Sequence, residues 1–175
     1  MIALAVMTLL SSTTHASLNI LFYGNSYTDD RAINGGSLYL PAIPDFIVDL
    51  ATAAGEPAPT AVNATESGKS LAWHNGNNTA IISTGLAGGQ QWDYVVMQDQ
   101  STRPTVSHPS GDVANHRTAA VDLFTNVAIH SPLAVPVMFQ TWARELSDHD
   151  FYHPVTGYFP GGPTQMQSEL RSGYQ

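Results

Sequence analysis

The chain has 175 residues, of which 43% are hydrophobic and 11% charged; its formal net charge is −8 and it contains no cysteine. That length suits a single domain, and that apolar share is enough for a core, which excludes a disordered chain. Six Lys and Arg residues against 14 Asp and Glu give a nucleic-acid backbone no basic stripe, and the lack of cysteine excludes disulfides, thiolate catalysis and Cys-ligated zinc.

Ile2 to Leu10 is an apolar run too short to span a bilayer. Small and polar residues follow, ending in Thr14-His15-Ala16 before Ser17, which is the pattern of a secretory signal peptide without its usual basic start. The other reading of this run is a buried first strand or helix. Residues 1–16 are therefore set aside as a leader, and 17–175 form the domain. An exported protein without cysteine is more natural in a bacterium, so the expected location is secreted or periplasmic. Asn63-Ala64-Thr65 and Asn77-Asn78-Thr79 match the glycosylation pattern, which matters only in a host that glycosylates it.

Beyond the leader, strand-like and helix-like segments alternate. Leu18–Tyr23 reads as a strand, and Asp29–Pro41, rich in Gly and Asn, as a surface loop. Asp45–Ala54 has helical apolar spacing and stops at Gly55. Pro59–Ala64 is a weaker strand, Thr65–Lys69 a polar turn, and Ser70–Ser83 a loose helix interrupted at Asn75-Gly76-Asn77. Trp92–Met97 carries a continuous apolar run, which suits a strand buried on both faces of a parallel sheet. A Pro- and Ser-rich loop, Ser101–Ser110, leads into the best helix, Asp112–His130, with Val113, Ala120, Val121, Phe124, Val127 and Ala128 on one side. Ala134–Phe139 is the fourth strand, Trp142–Pro163 a long aromatic loop, and Thr164–Tyr174 a last helix. This alternation predicts a parallel sheet with crossover helices. Four strands followed by a helix also predict that a fifth strand is missing and that the chain is a fragment.

The first strand ends abruptly in Gly24-Asn25-Ser26. Ligands bind at the carboxyl ends of strands in open α/β sheets, so Ser26 is a candidate nucleophile; its plainer reading is a turn or helix cap. Two further loops fall at the same sheet edge. Glu66-Ser67-Gly68-Lys69-Ser70 follows the second strand and contains a glycine able to turn its N–H to a pocket; its plainer reading is a strand-to-helix turn. Gln98-Asp99-Gln100-Ser101 follows the third, where a side-chain amide could stabilise an oxyanion; its plainer reading is a polar loop start.

Together these three loops resemble the SGNH (GDSL-type) hydrolase superfamily of esterases and lipases. The resemblance covers residues 18 to about 145 and implies a flavodoxin-like three-layer α/β/α sandwich with a parallel sheet. It makes Ser26 the nucleophile, with an oxyanion hole from the N–H groups of Ser26 and Gly68. The superfamily's third block places an asparagine amide in Gly-x-Asn-Asp; here Gln100 stands in that place, with Gln98 as the alternative donor. A glutamine amide donates the same kind of hydrogen bond. The implied chemistry is ester hydrolysis through an acyl-enzyme, with no cofactor or metal.

The superfamily's acid and base form an Asp-x-x-His pattern after a fifth strand. Asp150-Phe151-Tyr152-His153 has that spacing but follows the fourth strand directly. The expected pair therefore lies beyond residue 175, with Asp150 and His153 as the alternative, and the 175-residue piece is then almost inactive. Asp148, His149, Asp150 and His153 could instead hold a metal for a metal-dependent hydrolase, although Pro154 disfavours the helix that such spacing needs. His74, His108, His116 and His130 read as surface or cap residues. Arg103 and Arg144 could meet an anionic group or be solvated loop charges. Trp73, Trp142, Tyr152, Tyr158 and Phe159 could form a sugar-stacking rim or pack beneath the loop. The expected reaction removes a short acyl group, such as acetyl, from a carbohydrate or another small ester. A non-catalytic carbohydrate-binding or cell-surface module on the same fold is the competing reading.

Overall fold

The computed structural model describes residues 16–29 and 42–175. Its strands are β1 (Asn19–Tyr23), β2 (Thr60–Asn63), β3 (Tyr94–Met97) and β4 (Val135–Met138). Its helices are α1 (Ile43–Ala53), α2 (Leu71–Asn77), α3 (Ile81–Thr84), α4 (Val113–His130), α5 (His149–Tyr152) and α6 (Gly162–Tyr174). The strands form one parallel sheet in the order β2-β1-β3-β4. The expected α/β architecture is therefore present. Residues 1–15 of the expected leader and 30–41 of the expected loop lie outside the described residues. Among the described residues, no helix is long and apolar enough to cross a membrane.

Strand alternation sends successive side chains to opposite faces. Leu21, Tyr23, Val95 and Met97 share one face and pack with Leu71 of α2 and Ala119, Leu123 and Val127 of α4. Trp92 completes this core, its indole N–H donating to the Ile82 carbonyl at 2.9 Å. The opposite face carries Leu18 and Ile20, which line a cavity together with Ile47 and Ala51 of α1. Helices thus lie on both sides of the sheet.

Local chemistry sets the helix ends. Ser70 caps α2 by accepting the Trp73 N–H at 3.3 Å, and Asp112 caps α4 by accepting that of Asn115 at 3.0 Å. Gly55, with φ of +79°, follows α1 as expected of a helix stop. The segment expected as one loose helix is split into α2 and α3, and the break falls at Asn78 rather than at Asn75–Asn77.

Three expectations are corrected. The stripe of α4 buried by the core is His116, Ala119, Leu123 and Val127, which shares only Val127 with the expected side. Ala120 and Phe124 of the expected side are partly buried against this core and, with the exposed Val121, line a groove beside Pro136 and Met138 of β4. Next, β3 is not buried on both faces: Val95 and Met97 are buried, Val96 only partly, and Tyr94 is exposed, because α1, the helix on that side, packs on β2. Finally, the long aromatic loop contains α5, and its Phe151, Tyr152 and Phe159 form a small second core with Met166 and Leu170 of α6.

Candidate active site

β1 ends at Tyr23 and the chain turns at once, with the Thr28 and Asp29 N–H groups donating to the Asn25 carbonyl at 2.8 and 3.0 Å. A glycine is required at the start of this turn. A Cβ at Gly24 would lie 2.5 Å from the Thr28 hydroxyl and 2.9 Å from Gln98 Oε1. The turn is braced from three directions. Asn25 N–H donates to Gln98 Oε1 at 3.0 Å, Asn25 Nδ2 donates to the Lys69 carbonyl at 3.0 Å, and the Gly24 carbonyl accepts from both Glu66 N–H at 3.0 Å and His74 Nε2 at 2.8 Å. Asn25 is buried, whereas Ser26 beside it is partly exposed and its hydroxyl makes no hydrogen bond to a described residue. The turn is thus firmly held while its serine hydroxyl is engaged by no described residue.

His74 is fully buried, not a surface residue. A carbonyl can only accept, so Nε2 carries the proton and Nδ1 is left to accept from Asn78 Nδ2 at 3.5 Å. Burial holds this imidazole below its ordinary pKa, against the opposing pull of the Gly24 bond and of Asp99 and Glu66. It acts as a neutral brace for the Ser26 turn.

Gly68 lies in the turn closed by Lys69 N–H donating to the Glu66 carbonyl at 3.1 Å. Its φ of +70° is a left-handed conformation that suits glycine. It is one residue from the carbonyl gripped by Asn25, which ties the second loop to the Ser26 turn.

After β3, the two glutamines have different surroundings. Gln98 is fully buried; its Oε1 accepts from Asn25 N–H and the Thr28 hydroxyl, and its Nε2 donates to the Asp99 carbonyl. Its amide therefore braces the turn. Gln100 is partly exposed, and its Oε1 accepts from Thr102 N–H at 3.2 Å and the Thr102 hydroxyl at 2.8 Å, leaving Nε2 without a bond to a described residue. The relay continues from Thr102 to the Ser110 hydroxyl at 2.8 Å, and from there to His108 Nδ1 at 2.8 Å.

Between the glutamines, the buried Asp99 carboxylate accepts Leu71 N–H at 2.9 Å and Gln100 N–H at 2.7 Å on one oxygen. His116 Nδ1 lies 2.8 Å from the other oxygen. His116 is thus a buried partner of Asp99, again not a surface residue. Tyr174 packs on it with ring centroids 4.8 Å apart, and burial pushes the Tyr174 phenol up to about 12.

Two solved structures share this arrangement of strands and helices. One is a "putative SGNH hydrolase" from Slackia heliotrinireducens, with a TM-score of 0.60 and 20% identity over 91% of this chain and 72% of that one. The other is a "putative GDSL-like lipase" from Parabacteroides merdae ATCC 43184, with a TM-score of 0.52 and 16% identity over 90% of this chain and 72% of that one. The chain has the SGNH-hydrolase fold. No family model and no curated protein matches its sequence.

On this SGNH-type sheet, the first three loops are linked by direct bonds, but Asp150 and His153 are not joined to them. Both are exposed, and His153 Nδ1 accepts the N–H groups of Val155 at 3.2 Å and Thr156 at 3.1 Å. Neither bonds to the other or to Ser26. The alternative metal cluster does not converge: Asp148 pairs with Arg144 at 3.4 Å, and no group of three acidic or His side chains among the described residues is placed to hold a metal ion. Arg144 lies over the Phe151 ring at 4.3 Å.

Sequence reading missed His74, Asp99, His116 and Thr102. The two histidines sit on helices without any adjacent motif, so only the fold reveals what they face. Asp99 carried a signal, being an acid flanked by amides directly after a buried strand.

Proposed function

We propose that the protein is a serine ester hydrolase in which Ser26 is the nucleophile. The observation that carries this reading is a Ser26 hydroxyl that bonds to no described residue, on a turn braced by Gln98, Lys69, Glu66 and His74 at the carboxyl edge of the sheet. Likeness of fold to hydrolase structures supports the reaction class.

The chemistry runs as follows. Ser26 Oγ bonds to the ester carbonyl carbon as its proton passes to a base, and the carbonyl electron pair moves onto oxygen. The N–H groups of Ser26 and Gly68 and the Gln100 amide stabilise that oxyanion. Collapse expels the alcohol, which takes the proton from the base, and water then releases the acid from Ser26. Short acyl groups on a carbohydrate or other small ester are the proposed substrates, and export by the leader places the enzyme in the periplasm or outside the cell.

We place the acid and base in an Asp-x-x-His pair beyond residue 175, with Asp150 and His153 as the alternative. The sheet order supports this, because β4 is its terminal strand and no described strand pairs with its outer edge. That no described histidine bonds to Ser26 also favours a second reading, a non-catalytic carbohydrate-binding module. The test is ester hydrolysis by the complete gene product and its Ser26→Ala variant. The enzyme reading predicts loss of activity, and the module reading predicts carbohydrate binding that is indifferent to Ser26.

A further inference from the structure

The structure sorts the aromatic residues around the Ser26 edge into distinct groups. Tyr152 and Phe159 are buried in the second core. Tyr158 packs against His108 at 4.5 Å and Phe151 at 5.7 Å. Trp73 is covered by the Lys69 ammonium, 5.3 Å from its ring centroid. Trp142 differs from all of these, since it is 52% exposed although it is held on two sides.

Trp142 follows β4, yet it reaches back across the end of β3 to the Ser26 turn, where its ring centroid lies 5.0 Å from that of Tyr27. Phe139 meets it from its own strand end at 6.5 Å. The interplanar angles are 69° and 60°, so neither neighbour lies flat against the indole. The two contacts fix the ring without stacking on it, and the residue next to Tyr27 is Ser26. A large, oriented and half-exposed aromatic packed on the neighbour of a serine whose hydroxyl bonds to no described residue has the properties of a binding platform, in which little side-chain freedom remains to be lost when a ligand arrives.

We infer that Trp142 is the stacking platform for a ring in the alcohol part of the ester that Ser26 attacks. This deepens the esterase reading and rests on it. The shared chemistry is a flat apolar ring face, supplied either by the C–H face of a pyranose or by an aryl group. Tyr27 and Phe139 are positioning residues that hold the platform upright.

The experiment measures equilibrium binding in the Ser26→Ala background, so that no turnover intervenes, and it needs no catalytic base. Three probes are titrated: methyl 6-O-acetyl-β-glucopyranoside, phenyl acetate and ethyl acetate. Trp142→Ala is expected to weaken binding of at least one ring-bearing ester about tenfold, with ethyl acetate unchanged and Trp142→Phe recovering most of the affinity. Which ring ester responds identifies the source of the ring. Equal affinity of Trp142→Ala and its parent for both ring esters, with unchanged thermal melting, overturns the platform. Should Trp142→Ala fold poorly, the Trp142→Phe and Trp142→Leu pair gives the same comparison, and equal affinity of those two overturns it. Failure of the esterase reading is seen separately, as ester hydrolysis that survives Ser26→Ala in the complete gene product.

Discussion

Gln98 and Asn25 are joined at 3.0 Å, the glutamine Oε1 accepting the backbone N–H of the residue just before Ser26. The same oxygen accepts the Thr28 hydroxyl at 3.0 Å, so one buried amide just past β3 holds both ends of the turn that follows β1. Gln98→Leu removes the acceptor and leaves two buried donors without a partner. Each such loss costs about 1–3 kcal/mol. The expected outcome is a fall of about 2 kcal/mol or more in unfolding free energy, read as a lower urea midpoint at unchanged slope. A variant as stable as its parent contradicts the bracing role.

His74 predicts a pH dependence of stability. Burial lowers its folded-state pKa from 6.5, so above that pH the ring is neutral both folded and unfolded. As pH falls below about 6.5, the unfolded chain takes up a proton that the folded chain resists, and stability declines. His108, lowered by burial and by Arg144, acts in the same direction. His74→Gln can keep a donor to the Gly24 carbonyl while removing the titration. Melting temperatures followed downward from pH 6.5 are expected to decline less steeply in this variant than in the parent. Parallel decline in the two proteins contradicts the assignment.

Thr102 is expected to matter through Gln100. Its N–H and hydroxyl both hold Gln100 Oε1, which fixes the amide with Nε2 turned away from Thr102. In the complete gene product, Thr102→Val is expected to lower kcat about tenfold with little change in KM, because a loosened oxyanion donor weakens the transition state more than the ground state. Thr102→Ser restores the hydroxyl and should restore kcat. A rise in KM alone, or no rescue by serine, contradicts this role.

Much of this was legible in the sequence, and the limits have physical causes. The Gly24-Asn25-Ser26 turn, the Gly68 turn and the two-sided sheet all follow from local signals: a β-prone run ending in small polar residues, a glycine within a polar stretch after a strand, and alternating periodicities. The facing of α4 was not legible, because its apolar residues are spread around the helix and its buried stripe includes His116. His74 and His116 looked isolated because their partners, Gly24 and Asp99, are distant in sequence and meet them only in the fold. Gln98 and Gln100 look alike in the chain, yet one is buried beneath the turn and the other is partly exposed. Burial, which separates the brace from the candidate donor, is a tertiary property.

The most direct test of the central claim is covalent trapping. The complete gene product is treated with a fluorophosphonate ester, digested, and its peptides are weighed. If Ser26 is the nucleophile, the phosphonyl group is carried by the peptide containing Gly24-Asn25-Ser26, and the Ser26→Ala variant carries none. An adduct on another residue, or equal labelling of the Ser26→Ala variant, would contradict it.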